Sequence, residues 1–165
     1  MVVVLLEEIQ NLLMKKFEEI RTRTLLVLNQ LSDDEVNWRP NESSNSISNL
    51  VVHIRGNVDE RISNGILHNN KIRNRQMEFE SIKKSKQELI EITNETYVEV
   101  IETIENMSKA AWHETQLVRN KERTNLDMLL QCAAHFSEHL GQIMYIGKLI
   151  KNEDYITTSI PKKVI

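Results

Sequence analysis

The sequence predicts an all-α protein, a four-helix bundle with short additional helical turns or a small hairpin in its connections. Four long segments place apolar residues three and four positions apart, which is the spacing of the buried face of a helix. No segment of comparable length alternates apolar and polar residues as a half-buried strand does. The 165 residues include only four Gly and two Pro, so few positions interrupt a helix.

The first segment predicts one long amphipathic helix. Its apolar stripe consists of Leu5, Ile9, Leu12, Leu13, Phe17, Ile20, Leu25, Leu28 and Leu31. Ser32 and Glu35 then have the spacing of a capping box, which predicts a short helical turn through Trp38. Pro40 prevents that turn from continuing, and a loop rich in Asn and Ser follows.

The second and third segments predict two further helices. The second begins near Ser46, ends in the polar residues 68–71, and carries Ile47, Leu50, Val51, Ile54, Val58, Ile62 and Ile66. The third carries Ile82, Leu89, Ile90, Tyr97, Val100, Ile101 and Ile104. A capping box at Ser85 and Glu88 marks a place where this third helix can start.

The fourth segment opens at Thr124 or Asn125 and predicts the last long helix. It carries Leu126, Leu129, Leu130, Ala133, Leu140, Ile143, Met144, Gly147 and Ile150. The preceding stretch, 109–123, stays open between a small hairpin and an ordinary loop. Leu117-Val118 suits a strand and Asn120-Lys121 favours a turn, but neither signal decides between the two.

Charge and hydropathy argue against nucleic-acid and membrane partners. A formal net charge of -3 supplies none of the basic surplus with which proteins bind phosphate backbones. No stretch approaches the roughly 20 apolar residues that span a bilayer, and the apolar residues 1–6 lack the basic flank of a signal peptide. The lone Cys132 suits a reducing compartment. We therefore expect a soluble, cytoplasmic protein.

Two histidines in the fourth segment predict a metal site. His135 and His139 are four residues apart, so both rings lie on one helix face and can reach one ion. Met128, Cys132 and Ile143 lie near the same azimuth, which predicts that the two rings point into the bundle.

A third histidine is predicted to face the same interior. His53 borders the apolar stripe of the second helix, and helix bundles commonly build metal sites from facing helices. Three neutral imidazoles leave an ion its full positive charge and open coordination positions, which is typical of catalytic sites. The predicted ligands are therefore His53, His135 and His139.

Several polar residues are candidates for supporting roles. Asn57 and Arg61 follow His53 at successive turns, and either face a substrate or cap and pair at the bundle end. Glu138 either orients a ligand or relays a proton, or simply faces solvent. Cys132 could supply a fourth ligand, although a small buried hydrophobic residue is the favoured interpretation.

Four residues are interpreted as bystanders. His68 and His113 lie in polar or boundary regions. Arg73 and Arg75 are assigned to a solvated loop, with binding of an anionic group as the alternative.

A rival motif overlaps the predicted site. His135-x-x-Glu138-His139 also matches the inverted zinc-peptidase pattern, in which the glutamate is the general base. That chemistry needs an acidic third ligand downstream, and only Glu153 and Asp154 follow in the tail. This interpretation therefore ranks below the three-histidine site.

Three stretches of the sequence resemble the DinB-like, or YfiT-like, superfamily of four-helix-bundle metalloenzymes. They are NSISNLVVHIRGN at 45–57, the Arg-Asn-Arg before Glu-Phe within 73–79, and HFSEHLGQI at 135–143. The resemblance covers nearly the whole chain and is greatest to a subgroup without an established reaction. It implies that one histidine of the second helix and two of the last bind a divalent cation, at positions matched by His53, His135 and His139. Residues 68–71 depart from the family's pattern because they lack its Gly and acidic residues.

The resemblance also implies a class of activity. Characterised relatives include thiol transferases and a thiol-dependent isomerase, so we expect a metal-dependent S-transferase that acts on a small molecule, with a low-molecular-weight thiol and a second copy of the chain as partners. The alternatives are a metal-dependent hydrolase that activates water and a non-catalytic, metal-stabilised dimeric binding protein. Zinc is the expected ion, and nickel, manganese or iron could replace it. The expected division is a metal-binding domain at 1–152 and a C-terminal tail at 153–165.

Overall fold

Four long helices form the scaffold of the protein. A computed structural model describes residues 2–160, with side chains from Leu5 onward. The α-helices are α1 (Val2–Leu28), α2 (Asp33–Val36), α3 (Ile47–Val58), α4 (Lys86–Asn106) and α5 (Asn125–Lys151), of which α2 is a single short turn. A π-helical segment, Asp59–Asn64, continues α3, and residues 65–85 connect it to α4. Together with one two-stranded hairpin, they confirm the predicted all-α fold with a small hairpin. Within the described residues, no helix combines the length and apolar character needed to cross a membrane.

Short side chains fix where the helices begin. Ser32, Ser46 and Ser85 each accept a hydrogen bond from the backbone three residues later, and a side chain there bonds back to the cap. Thr124 caps α5 by accepting from the backbone N–H of Asp127. These caps satisfy backbone donors that a helix start leaves unpaired, and they lie where the sequence predicted helix starts.

An aromatic cluster joins three of the long helices. Phe17, Tyr97 and Phe136 come from α1, α4 and α5, and each is almost wholly buried. Their ring centroids lie 6.1–6.5 Å apart in tilted and edge-on arrangements, which aromatic rings favour. Ile54 and Val58 of α3 belong to the same apolar cluster. The core therefore lies beside the segment of α3 that carries His53.

Three leucines do not share the predicted burial. Leu5, Leu12 and Leu130 are 58%, 60% and 51% exposed. At about 100° per residue, each lies roughly 100° or more around its helix from the centre of the buried face. The apolar stripe is therefore wider than the face that neighbouring helices cover.

The chain between α4 and α5 forms a hairpin of β1 (Thr115–Val118) and β2 (Lys121–Thr124). Arg119 and Asn120 make its two-residue turn with φ values of 49° and 62°. Positive φ at both central positions is the geometry that matches the twist of a tight hairpin. Of the two alternatives that the sequence left open for this stretch, a hairpin or an ordinary loop, the structure shows the hairpin.

The described part of the C-terminal tail lies against the bundle. The side chain of Gln30, in the turn after α1, donates to the backbone oxygen of Ile156 and accepts from its N–H, at 3.0 and 2.8 Å. Tyr155 packs over Gly147 of α5. Residue 1 and residues 161–165 of the predicted domain and tail lie outside the described residues, and the boundary at 152/153 stays a prediction.

Candidate metal centre

The three predicted histidines lie together between α3 and α5. One ligand atom from each of His53, His135 and His139 can be chosen so that all lie within 4.8 Å of one another. The Nε2 atoms of His135 and His139 are 2.8 Å apart, and the ring centroid of His53 lies 5.4 Å and 5.0 Å from those of His135 and His139. The structure thus brings the three residues into one group that could hold a metal ion.

Local sequence explains why the rings converge. His135 and His139 are one helical turn apart, and the buried residues Cys132, Phe136 and Leu140 anchor that side of α5 in the core. His53 lies on the buried face of α3, where most residues between the first and last turns are inaccessible. α3 and α5 contact each other, so their histidines meet between the two helices, with His53 buried and His135 and His139 partly exposed.

Two hydrogen bonds fix the orientation and tautomer of His53. Its Nδ1 donates to Oε2 of Glu78 at 2.8 Å. Its Nε2 accepts from Nδ2 of Asn57 at 3.1 Å, and the same amide donates to the backbone oxygen of His53 at 2.9 Å. A carboxylate on one ring nitrogen leaves the other with its lone pair available to a cation. An ion bound at Nε2 would replace the hydrogen bond from Asn57.

Glu78 is a site residue to which the sequence assigned no role. It lies in a 3-10 turn (Met77–Phe79) of the long connection between α3 and α4. Asn49 of α3 holds this connection in place, because its amide donates to the backbone oxygens of Glu78 and Glu80 at 2.9 and 2.8 Å. The signal that could have identified Glu78 is an acidic residue in a loop that also contains arginine. Histidines that bind a metal usually donate a hydrogen bond from their second ring nitrogen, often to a carboxylate.

Arg73 holds Glu78 from its other side. Its guanidinium donates to Oε1 and Oε2 of Glu78 at 2.6 and 2.8 Å, and it also pairs with Glu60. The side chains of Arg73 and Glu78 are only 11% and 5% exposed. The interpretation of Arg73 as a solvated loop residue was therefore wrong, because a buried carboxylate requires a paired cation. Arg75 instead lies 5.0 Å over the ring of Phe79.

Gly56 makes the space for this arrangement. A Cβ atom at this position would lie 2.1 Å from Oε1 of Glu78 and 2.9 Å from Nε of Arg73. Only glycine on this turn of α3 lets the ion pair approach His53 so closely.

The surroundings of His53 and His135 favour their neutral forms. Burial lowers the pKa of His53, although the hydrogen bond to Glu78 acts in the opposite direction. Burial and the neighbouring His139 lower the pKa of His135 to about 4. Burial would raise the pKa of Glu78, but hydrogen bonds from Arg73 and His53 outweigh it and hold that pKa below its ordinary value. The site therefore offers imidazole lone pairs beside an ionised carboxylate, which is the donor set that a divalent ion such as zinc requires.

A family model described as "Protein of unknown function (DUF1572)" matches residues 6–164. The chain belongs to this family. It is also similar to a protein whose crystal structure is described as that of the conserved protein of locus from Enterococcus faecalis. The TM-score is 0.68 and the identity 14%, over 85% of this chain and 95% of that one, which shows a shared fold. No curated protein matches.

The remaining candidates in this DUF1572 chain differ in their positions. Asn57 contacts His53 directly, and Nε of Arg61 donates to Oδ1 of Asn57 at 3.2 Å. Glu138 is exposed and forms no hydrogen bond to the three histidines within the described residues. Gln142 was not predicted, yet it accepts from Nδ1 of His139 at 3.0 Å.

Other sequence candidates lie outside the cluster. Cys132 is buried, and burial raises the pKa of its thiol to about 12, so it is a neutral core residue. His68 and His113 are exposed, and neither belongs to a group of potential ligands within residues 2–160.

The inverted zinc-peptidase interpretation does not fit the structure. Glu153 and Asp154 form a 3-10 turn after the end of α5. At about 1.5 Å per residue, that turn lies roughly 20 Å along the helix axis from His139. The third potential ligand is His53 of α3, not a downstream carboxylate.

We expect the metal-free protein to lose stability as pH falls from 7 to 5. The unfolded chain protonates His135 near its ordinary pKa of 6.5, whereas the folded chain resists protonation until about pH 4. The unfolded state therefore binds more protons in this window, and the loss is about 1 kcal/mol after allowance for solvent at a half-buried ring. Urea unfolding in the presence of a chelator measures it. A His135→Gln variant with the same pH dependence would contradict this assignment.

Proposed function

We propose that this DUF1572 protein is a divalent-metal-dependent enzyme of the DinB-like superfamily. Its ligands would be His53, His135 and His139, with zinc as the first ion to test. The proposed reaction is transfer of a low-molecular-weight thiol to a small electrophilic molecule. The observation that carries the proposal is the convergence of three imidazoles from two helices, one of which is oriented by a buried carboxylate.

The protein side chains have distinct roles in this proposal. Glu78 would hold His53 in the tautomer with an accepting Nε2, and Arg73 would keep Glu78 ionised at its side. A bound divalent ion would act as a Lewis acid that lowers the pKa of a thiol or a water molecule toward neutrality. Neutral imidazoles add no negative charge, so they preserve that acidity.

A catalytic role is favoured over a purely structural one by the number of ligands. Structural zinc sites are closed by four protein ligands, whereas catalytic sites use three and keep a position for a small molecule. Within the described residues, the group of potential ligands contains only the three histidines. The nearby Cys132 is a buried core residue and does not complete a fourth position.

Metal content tests the proposal directly. We expect about one equivalent of divalent ion in the wild-type protein, purified without an affinity tag, and almost none in a His135→Ala/His139→Ala variant. Inductively coupled plasma mass spectrometry gives the content, and circular dichroism shows whether the helices persist. His68→Ala/His113→Ala is the matched control, because it removes two exposed histidines outside the cluster. It should keep the metal.

Two outcomes would reject the metal site. One is that wild type binds no ion even after incubation with zinc or nickel, and the other is equal metal content in both double variants. Where metal is bound, a screen of thiols with electrophiles follows. Turnover that requires both the thiol and His135 supports S-transfer. Turnover without a thiol would instead support the alternative proposal, a metal-dependent hydrolase.

A further inference from the structure

A basic cleft lies between the hairpin, the π-helical segment Asp59–Asn64 that follows α3, and the start of α5. Its volume is about 220 Å³. The residues lining it are Arg61, Val118, Arg119, Lys121, Arg123 and Gln131. Four of the six are therefore cationic, an unusual concentration in a chain of net charge -3.

The hairpin pleat explains why these side chains share one side. Val118 pairs with Lys121 and Gln116 with Arg123, so the four lie on the same face of the ribbon. Gln116 fastens that face to the bundle, because its amide donates to the backbone oxygen of Arg61 at 3.1 Å and to Oδ1 of Asn125 at 2.9 Å. The basic face of the hairpin is therefore turned toward the bundle.

The positive charge of the cleft is largely unbalanced. Arg123 pairs with Asp127 at 2.8 Å. Among the described residues, Arg61, Arg119 and Lys121 form no ion pair, whereas the nearby Arg73 has two carboxylate partners. Cations of like charge repel one another when they share a confined space, and a bound anion removes that cost.

The cleft adjoins the three histidines. Arg61 donates to Asn57, and Asn57 donates to Nε2 of His53, at 3.2 and 3.1 Å. Gln131 lies one helical turn before His135, a rise of about 6 Å. A molecule of a few atoms held by the cleft can therefore extend to the histidines.

We propose that this cleft binds the anionic group, a carboxylate or a phosphate, of the small molecule on which the metal centre acts. This assignment rests on the proposed function. A water molecule takes up about 30 Å³, so the volume suits a single oxyanion with a few waters. Arginine forks and a lysine at the hairpin tip supply the donors that such oxyanions accept.

Calorimetric titration of the chelator-treated protein tests the cleft without the metal. Inorganic phosphate and acetate are the probes, one for a phosphoryl group and one for a carboxylate. We expect the wild-type protein to bind at least one of these two anions. The Arg119→Gln/Lys121→Gln variant should bind the same anion with an affinity that is lower by roughly tenfold or more. These two side chains are exposed, so the variant should fold normally.

The matched control removes two charges elsewhere. Lys83 and Lys109 are exposed and form no ion pair among the described residues, so Lys83→Gln/Lys109→Gln changes net charge equally. Unchanged binding in this control supports a specific cleft. Equal weakening in both double variants would show a general effect of charge and overturn the proposal, as would wild type that binds neither probe.

Metal content of the same proteins, measured before chelator treatment and again after incubation with zinc or nickel, separates the two proposals. Anion binding by a protein that takes up no metal would uphold the cleft and overturn the metalloenzyme assignment. Metal binding without anion binding would uphold the metal centre and overturn the cleft.

Discussion

Glu78→Gln is expected to weaken metal binding by about 10- to 100-fold, because the carboxylate that orients and polarises His53 is lost. Glutamine keeps the shape of the side chain but removes the charge that faces Arg73. The free energy of unfolding should fall by about 2–3 kcal/mol, since the buried guanidinium of Arg73 keeps only its ion pair with Glu60. Competition with a chromophoric chelator measures the affinity, and urea unfolding measures the stability.

Glu80→Gln is the matched control for this experiment. Glu80 lies two residues further on, is exposed, and uses its backbone oxygen rather than its side chain to accept from Asn49. It should leave affinity and stability unchanged. Nitrogen NMR of His53 supplies a readout that a merely structural role would not move, because Glu78 fixes the tautomer. A Glu78→Gln protein that is less stable but keeps wild-type metal affinity and tautomer would show that Glu78 does not position the ligand.

Gly56→Ala is expected to displace Glu78 from His53 while α3 persists. The three atoms nearest to the added Cβ are Oε1 and Cδ of Glu78 and Nε of Arg73, all in side chains, so we expect the ion pair to move rather than the backbone. We expect stability to fall by about 1–3 kcal/mol and metal affinity to fall about tenfold or more. The loss outweighs the gain of about 1 kcal/mol that alanine brings to a helix interior.

Gly141→Ala isolates that helix gain. Gly141 lies in α5, is exposed, and a Cβ there would meet nothing within 4 Å. Alanine should therefore raise stability by about 0.5–1 kcal/mol and leave metal binding unchanged. If both glycine variants behaved alike, the space beside Glu78 would have no part in the metal site.

Much of the fold could be predicted because its signals are local. Serine caps mark helix starts within a few residues, and the helical period marks the buried faces. The hairpin was harder, since Arg119 and Asn120 adopt positive φ without the glycine that normally signals such a turn. The exposure of Leu12 could not be predicted either. The sequence of one helix shows which residues are apolar, but it does not show how much of the helix surface the neighbouring helices bury.

In the candidate site, too, the residues placed by local signals could be predicted and those placed by tertiary contacts could not. Helical spacing brings His135 and His139 together, and the inward stripe of the second helix adds His53. Glu78 is 25 residues from His53 in sequence and lies in a connection without a period, so its position depends on tertiary contacts. The solvated interpretation of Arg73 failed for the same reason, because its environment is created by a residue that the sequence does not place.

The carboxylate that orients His53 comes from the connection at 65–85, whereas all three histidines come from the helical scaffold. Ligand geometry and ligand basicity are thus encoded in separate stretches of the chain. If the histidines hold an ion, substitutions in the connection would change its affinity without repacking the aromatic cluster of Phe17, Tyr97 and Phe136. This division would allow the chemistry of the site to change while the packing of the bundle stays the same.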